Sequence, residues 1–71
     1  MDDLQRETLR SLLKTTERTP PQHQQEWIEM AVKANIGLYR QENDPEGARV
    51  YEQLLPLVLK ASRQELEALV R

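Results

Sequence analysis

The stretch Glu26–Tyr39, EWIEMAVKANIGLY, decides how the rest of this chain is read. On a helical wheel, at about 100° per residue, its apolar side chains fall into two stripes rather than one. Trp27, Met30, Ala31, Ala34 and Leu38 follow the first, at the i, i+3/i+4, i+7 spacing of a helix face. Ile28, Val32 and Tyr39 follow the second, with Ile36 at its outer edge. Glu26, Glu29, Lys33 and Arg40, with Gly37 among them, share a narrow polar wedge. A helix apolar over most of its circumference is buried on several sides or shared between subunits. The sequence therefore predicts an all-α fold, a small antiparallel bundle of three to four helices organised around this one.

On the N-terminal side the pattern predicts a helix over 3–18. Asp2 is placed to cap it, with Gln5 completing a capping box. Leu9, Leu12, Leu13 and Thr16 share its apolar face, and Leu4 falls off it. Arg6, Arg10, Lys14 and Arg18 recur every four residues along the flank. Asp2, Asp3, Glu7 and Glu17 are spaced to pair with the first three of these, so the run reads as a solvated flank, not a phosphate-binding stripe. Thr19-Pro20-Pro21 ends this helix and opens the central one, expected over 20–42, with Thr19 and Gln22 spaced as a second capping box.

On the C-terminal side, QENDPEG (residues 41–47) resembles a calcium loop only in part, because Pro45 and Gln53 stand where ligand geometry needs other residues. Its residues suit a helix start instead: Asn43 or Asp44 as cap, Pro45 in the first turn and Glu46 on the helix dipole. A third helix over 45–61 follows, with a kink expected at Pro56. Ser62 and Glu65 then form a capping box for a short last helix over 63–70.

The chain's 71 residues are expected to form a single helical domain. A chain this short buries only about 60% of its unfolded surface, and with no Cys it has neither disulfides nor thiolate metal sites as staples. Helix packing or association must supply the stability. A net charge of −2, with both signs intermixed, argues against nucleic acid as a partner. No stretch approaches the roughly 18 apolar residues that span a bilayer, and the acidic start is unlike a signal peptide, so no membrane is expected and the location is read as cytoplasmic.

No nucleophile–base pair, phosphate loop or ligand cluster is present, so no enzyme, cofactor or metal is expected. The lone His23 has only Glu26 at helical spacing. What stands out is apolar surface beyond what so small a bundle needs, and such a surplus marks an interaction site. The expectation is a protein–protein interaction module (an adaptor, inhibitor or assembly factor) that also forms a homodimer. Its partner surface is assigned to the second stripe, Ile28, Val32, Ile36 and Tyr39, with Tyr51, Leu55 and Leu59 of the third helix. The alternative is a DNA-binding transcriptional regulator of helix-turn-helix type, suggested by small all-helical dimers and by Arg49, Lys60, Arg63 and Arg71 in the C-terminal half.

Overall fold

Four helices account for the fold: α1 (Asp3–Thr15), α2 (Pro21–Gln41), α3 (Pro45–Lys60) and α4 (Arg63–Leu69). A computed structural model describes all residues, Met1–Arg71, and contains no strand. At about 1.5 Å per residue, α2 is about 31 Å long, close to the 34 Å long axis of the molecule. Its interface with α3 is the most extensive in the fold. The two run antiparallel: Gln25 near the start of α2 bonds to the carbonyls of Val58 and Ala61, and Arg40 near its end pairs with Glu52 at 3.3 Å. Helix α1 lies antiparallel to α2, and α4 runs back along α1, with Arg63 beside Thr16 and Val70 beside Arg10.

The core is one cluster to which every helix contributes. Leu9, Leu12 and Leu13 come from α1, Ile28, Val32 and Ile36 from α2, Leu54 and Val58 from α3, and Leu66 from α4. Thr16 is also buried, its hydroxyl hydrogen bonded to the carbonyls of Leu12 and Leu13. A buried hydroxyl without a partner would be costly, so this local bond is what allows Thr16 to share the face of the three leucines.

The helix ends follow local chemistry closely. The Asp2/Gln5 and Ser62/Glu65 capping boxes both form, each with its two reciprocal bonds. Ala61 is extended (φ −90°, ψ 147°), so α4 is a separate helix. Helix α2 ends in a Schellman motif: Asn43 takes the left-handed conformation (φ 58°), its N–H donates to Arg40 O, and the Asp44 N–H donates to Tyr39 O at 2.8 Å. Asp44 then caps α3 by accepting from the Gly47 N–H at 3.0 Å. QENDPEG is thus one helix end and one helix start.

Five helix boundaries depart from the sequence expectation, four of them by one residue: α2 begins at Pro21 and ends at Gln41, α3 ends at Lys60 and α4 ends at Leu69. Helix α1 stops at Thr15 rather than 18, because its last carbonyls are claimed from elsewhere. Arg63 donates to Leu13 O at 2.7 Å, and Gln24 reaches Thr16 O and Glu17 O. The Thr19/Gln22 capping box does not form: Pro20 is the residue before α2 and no side chain caps it. Pro20 itself precedes a proline, which drives it to ψ 137° and moves the first helical residue to Pro21. Helix α3 continues through Pro56, which lies on the exposed side, and ends at Lys60.

Candidate protein-docking face

The two stripes of α2 are now separated by burial. Ile28 and Val32 are 0% exposed and Ile36 is 9% exposed, whereas Trp27, Met30 and Leu38 are 53%, 52% and 51% exposed. On the wheel the two lines lie on roughly opposite sides of the helix. The assignment made from sequence is therefore corrected: Ile28, Val32 and Ile36 form the bundle's own core and are closed to a partner. The outward line is Trp27, Met30, Ala34 and Leu38, with Gly37 at its edge.

The physical reason is packing. Stacked β-branched side chains at i, i+4, i+8 present a continuous, stiff ridge to α1 and α3. The other line contains Ala34 and lies beside Gly37, so it cannot fill a core evenly. The residue types at the ends of the two lines do not announce this in the sequence, but their burial follows it. Continued to the helix ends, the Trp27 line runs into the polar side chains of His23 and Gln41, both exposed. The Ile28 line continues into Gln25 and Tyr39, both partly buried.

The remaining sequence-assigned residues divide. Tyr39 and Tyr51 are partly buried, with stacked rings 5.8 Å apart that close the turn end of the α2–α3 hairpin. Burial, reinforced by the adjacent Tyr39, pushes the Tyr51 phenol above its ordinary pKa. Gly47 lies under this pair: a Cβ there would sit 2.5–2.9 Å from Tyr39 ring atoms. Leu55 packs partly buried against the core. Leu59 is 55% exposed and stays open to a partner.

Beside Trp27 a cleft of about 360 Å³ opens between α2 and the end of α1, lined by Thr15, Thr16, Thr19, Pro20, Trp27 and Ala31. The hydroxyls of Thr15 and Thr16 are turned back onto the carbonyls of Ser11 and Leu12. What these threonines present to the cleft is therefore largely apolar, and it extends the outer face of α2.

A larger open cleft, about 570 Å³, lies between α1 and α4 and gathers Arg10, Lys14 and Arg63 with Glu17 and Glu67. Its arginines are structural. Arg63 bonds to Thr16 Oγ1 at 2.9 Å, Leu13 O at 2.7 Å and Glu67 at 3.1 Å. Arg10 bonds to Glu7 and to Val70 O. Each arginine thus caps the C-terminal end of the other's helix, where the dipole is negative. Lys14 and Glu17 do not pair, while Arg6–Asp3 (3.5 Å) and Arg10–Glu7 do. His23 lies exposed, 3.8 Å from Glu26.

These elements define an antiparallel four-helix bundle with an apolar face left on the outside of its longest helix. No protein-family model, curated protein or solved structure matches the chain. No helix is long and apolar enough to cross a membrane.

Proposed function

We propose that this chain is a protein–protein interaction module, of the adaptor, inhibitor or assembly-factor kind, that docks on its partner through the outer face of α2. The observation that carries this is the alignment of Trp27, Met30 and Leu38, each about half exposed, along a helix as long as the molecule itself. Isolated exposed apolar residues are ordinary, but a contiguous line of them is typical of an interaction surface. Tryptophan in particular is enriched among residues that dominate binding energy. The accessible area supports the same conclusion: 5079 Å², against about 4,600 Å² for a typical folded monomer of this mass.

A helix-turn-helix role draws less support from the fold. Helix α4 has seven residues and carries Glu65 and Glu67, which phosphates repel. Its one arginine, Arg63, is turned inward onto α1.

A photo-crosslinking residue at Met30, compared with one at exposed Gln64, tests the docking role. The expected result is protein crosslinks from position 30 and not from 64. Trp27→Ala should weaken them by about 30-fold, the equivalent of about 2 kcal/mol. Equal labelling from both positions would overturn the proposal.

A further inference from the structure

We propose that the leucine face of α1 also takes α4 from a second copy of this chain, with Ala61 and Ser62 straightening so that α3 and α4 join as one helix. The outer face of α2 plays no part in this contact.

The break between the two helices is slight. Only Ala61 and Ser62 separate α3 from α4, and both are extended, with ψ 147° and 165°. Around them, Lys60, Ala61, Arg63, Gln64 and Glu65 are all strong helix formers, and only Ser62 is weaker. Side chains hold the break open. Ser62 and Glu65 exchange the two bonds of their capping box, and Gln25 of α2 donates to Ala61 O at 3.1 Å. In a joined helix the N–H groups of residues 62–65 find the carbonyls of 58–61 instead, so the backbone stays satisfied.

The apolar pattern also crosses the break in phase. Leu55, Leu59, Ser62, Leu66 and Leu69 follow one another at alternating steps of four and three, a single line on a continuous helix. As folded, the break splits that line: Leu66 is buried, while Leu59 and Leu69 are 55% and 41% exposed. Joining puts the four leucines on one stripe, the form that an apolar contact with a second chain requires.

The occupant is identified by what α1 already holds. Helix α4 packs chiefly on α1. Leu66 joins Leu9, Leu12 and Leu13 in the core, Arg63 donates to Leu13 O and Thr16 Oγ1, and Arg10 donates to Val70 O. The α4 of another copy carries the same side chains and can make each of these bonds across chains. Exchange of an identical element is for this reason a low-cost route to a dimer. What it costs is the freedom of a second chain, so the dimer grows with concentration.

Two substitutions at one position move the hinge in opposite directions. Ser62→Ala removes the cap that holds the break and favours the joined helix. Ser62→Pro forbids joining, because Ala61 is then kept extended as Pro20 is by Pro21. Light scattering across a dilution series should find several-fold more dimer for Ser62→Ala than for wild type, and none for Ser62→Pro. The chain has no cysteine, and Lys14 and Glu67 line one cleft between α1 and α4, so Lys14→Cys and Glu67→Cys accept a short bis-maleimide without background. With Ser62→Pro, the double cysteine variant should crosslink within one chain, which verifies that α4 still folds onto α1. With Ser62→Ala, the two single variants refolded together at high concentration should crosslink between chains. A Ser62→Ala chain that stays monomeric at every concentration would overturn the exchange. So would a dimer that lacks the crosslink between positions 14 and 67, or one that Ser62→Pro leaves intact.

Discussion

Along α2 the inner line of Ile28, Val32 and Ile36 and the outer line of Trp27, Met30 and Leu38 are similarly apolar, yet one is closed to solvent and the other half open. Hydrophobicity does not distinguish them. The inner line is β-branched, evenly spaced and bordered by partly buried residues; the outer line alternates large with small and ends in exposed ones. Burial follows from which line the neighbouring helices can pack against without voids. The remaining line is then free for work outside the fold.

The largest expected effect breaks the inner line. Ile28→Ala removes a fully buried side chain and leaves a cavity, so it should cost roughly 2–5 kcal/mol in urea unfolding. Met30→Ala, measured at a dilution where the chain is monomeric, should stay within about 0.5 kcal/mol of wild type. Equal losses from the two would mean that the faces are not distinct.

The contrast between inward and outward residues extends to cations. Arg63 spans α4 and the end of α1 with a side chain only 19% exposed, and Lys14 nearby has no carboxylate partner within ion-pair distance, Glu17 included. Arg63→Ala should cost about 2 kcal/mol, because charge-assisted bonds are lost and carbonyls at the end of α1 lose their donor. Lys14→Ala should be near neutral in the same melts. Arg63→Lys should recover little, since an ammonium cannot hold both acceptors in the planar geometry of the guanidinium.

The two glycines give the same comparison at a smaller scale. Gly47→Ala drives a Cβ into the Tyr39 ring, which is itself held by Tyr51, and should destabilise by about 1–2 kcal/mol. Gly37→Ala meets open space in mid-helix and should stabilise by about 0.5–1 kcal/mol. Thermal melts of the pair, read side by side, check the sign at each position.

How far the sequence could be read depends on the range of the interaction. Caps and breaks involve neighbours within five residues, so Asp2, Asp44 and Ser62 announce three of the four helix starts correctly, and the four-helix bundle follows. The fourth start moved by one residue through a local effect, the restriction of Pro20 by Pro21. The candidate docking face was legible as a surplus and not as a location. A wheel shows two apolar stripes on α2 but cannot say which one α1 and α3 will cover, so Ile28, Val32 and Ile36, first assigned to a partner, went to the core. The need for Gly47 was hidden for the same reason: it comes from the Tyr39 ring on another helix. So was the reciprocal capping by Arg10 and Arg63, which joins residues about 50 or more apart in the chain.

The smallest expected effect concerns a residue that is exposed and still structural, which sharpens the comparison by separating exposure from freedom. Glu65 accepts the Ser62 backbone N–H at 3.0 Å while its own N–H donates to Ser62 Oγ. These hydrogen bonds from Ser62 hold its carboxyl below the usual carboxylate range, against a small opposing effect of desolvation. Because the folded form favours the ionised carboxylate, its contribution is present above the unfolded pKa and is lost as pH falls through the folded one. Acidification should therefore loosen the start of α4 first, seen as faster amide hydrogen exchange there than in α2, once the intrinsic pH dependence of exchange is corrected. Glu65→Gln keeps an acceptor in the capping box but cannot titrate, and should remove this acid sensitivity. If the variant loosens with pH as the wild type does, the effect arises elsewhere, and Glu65 belongs with the freely exposed side chains of the outer surface.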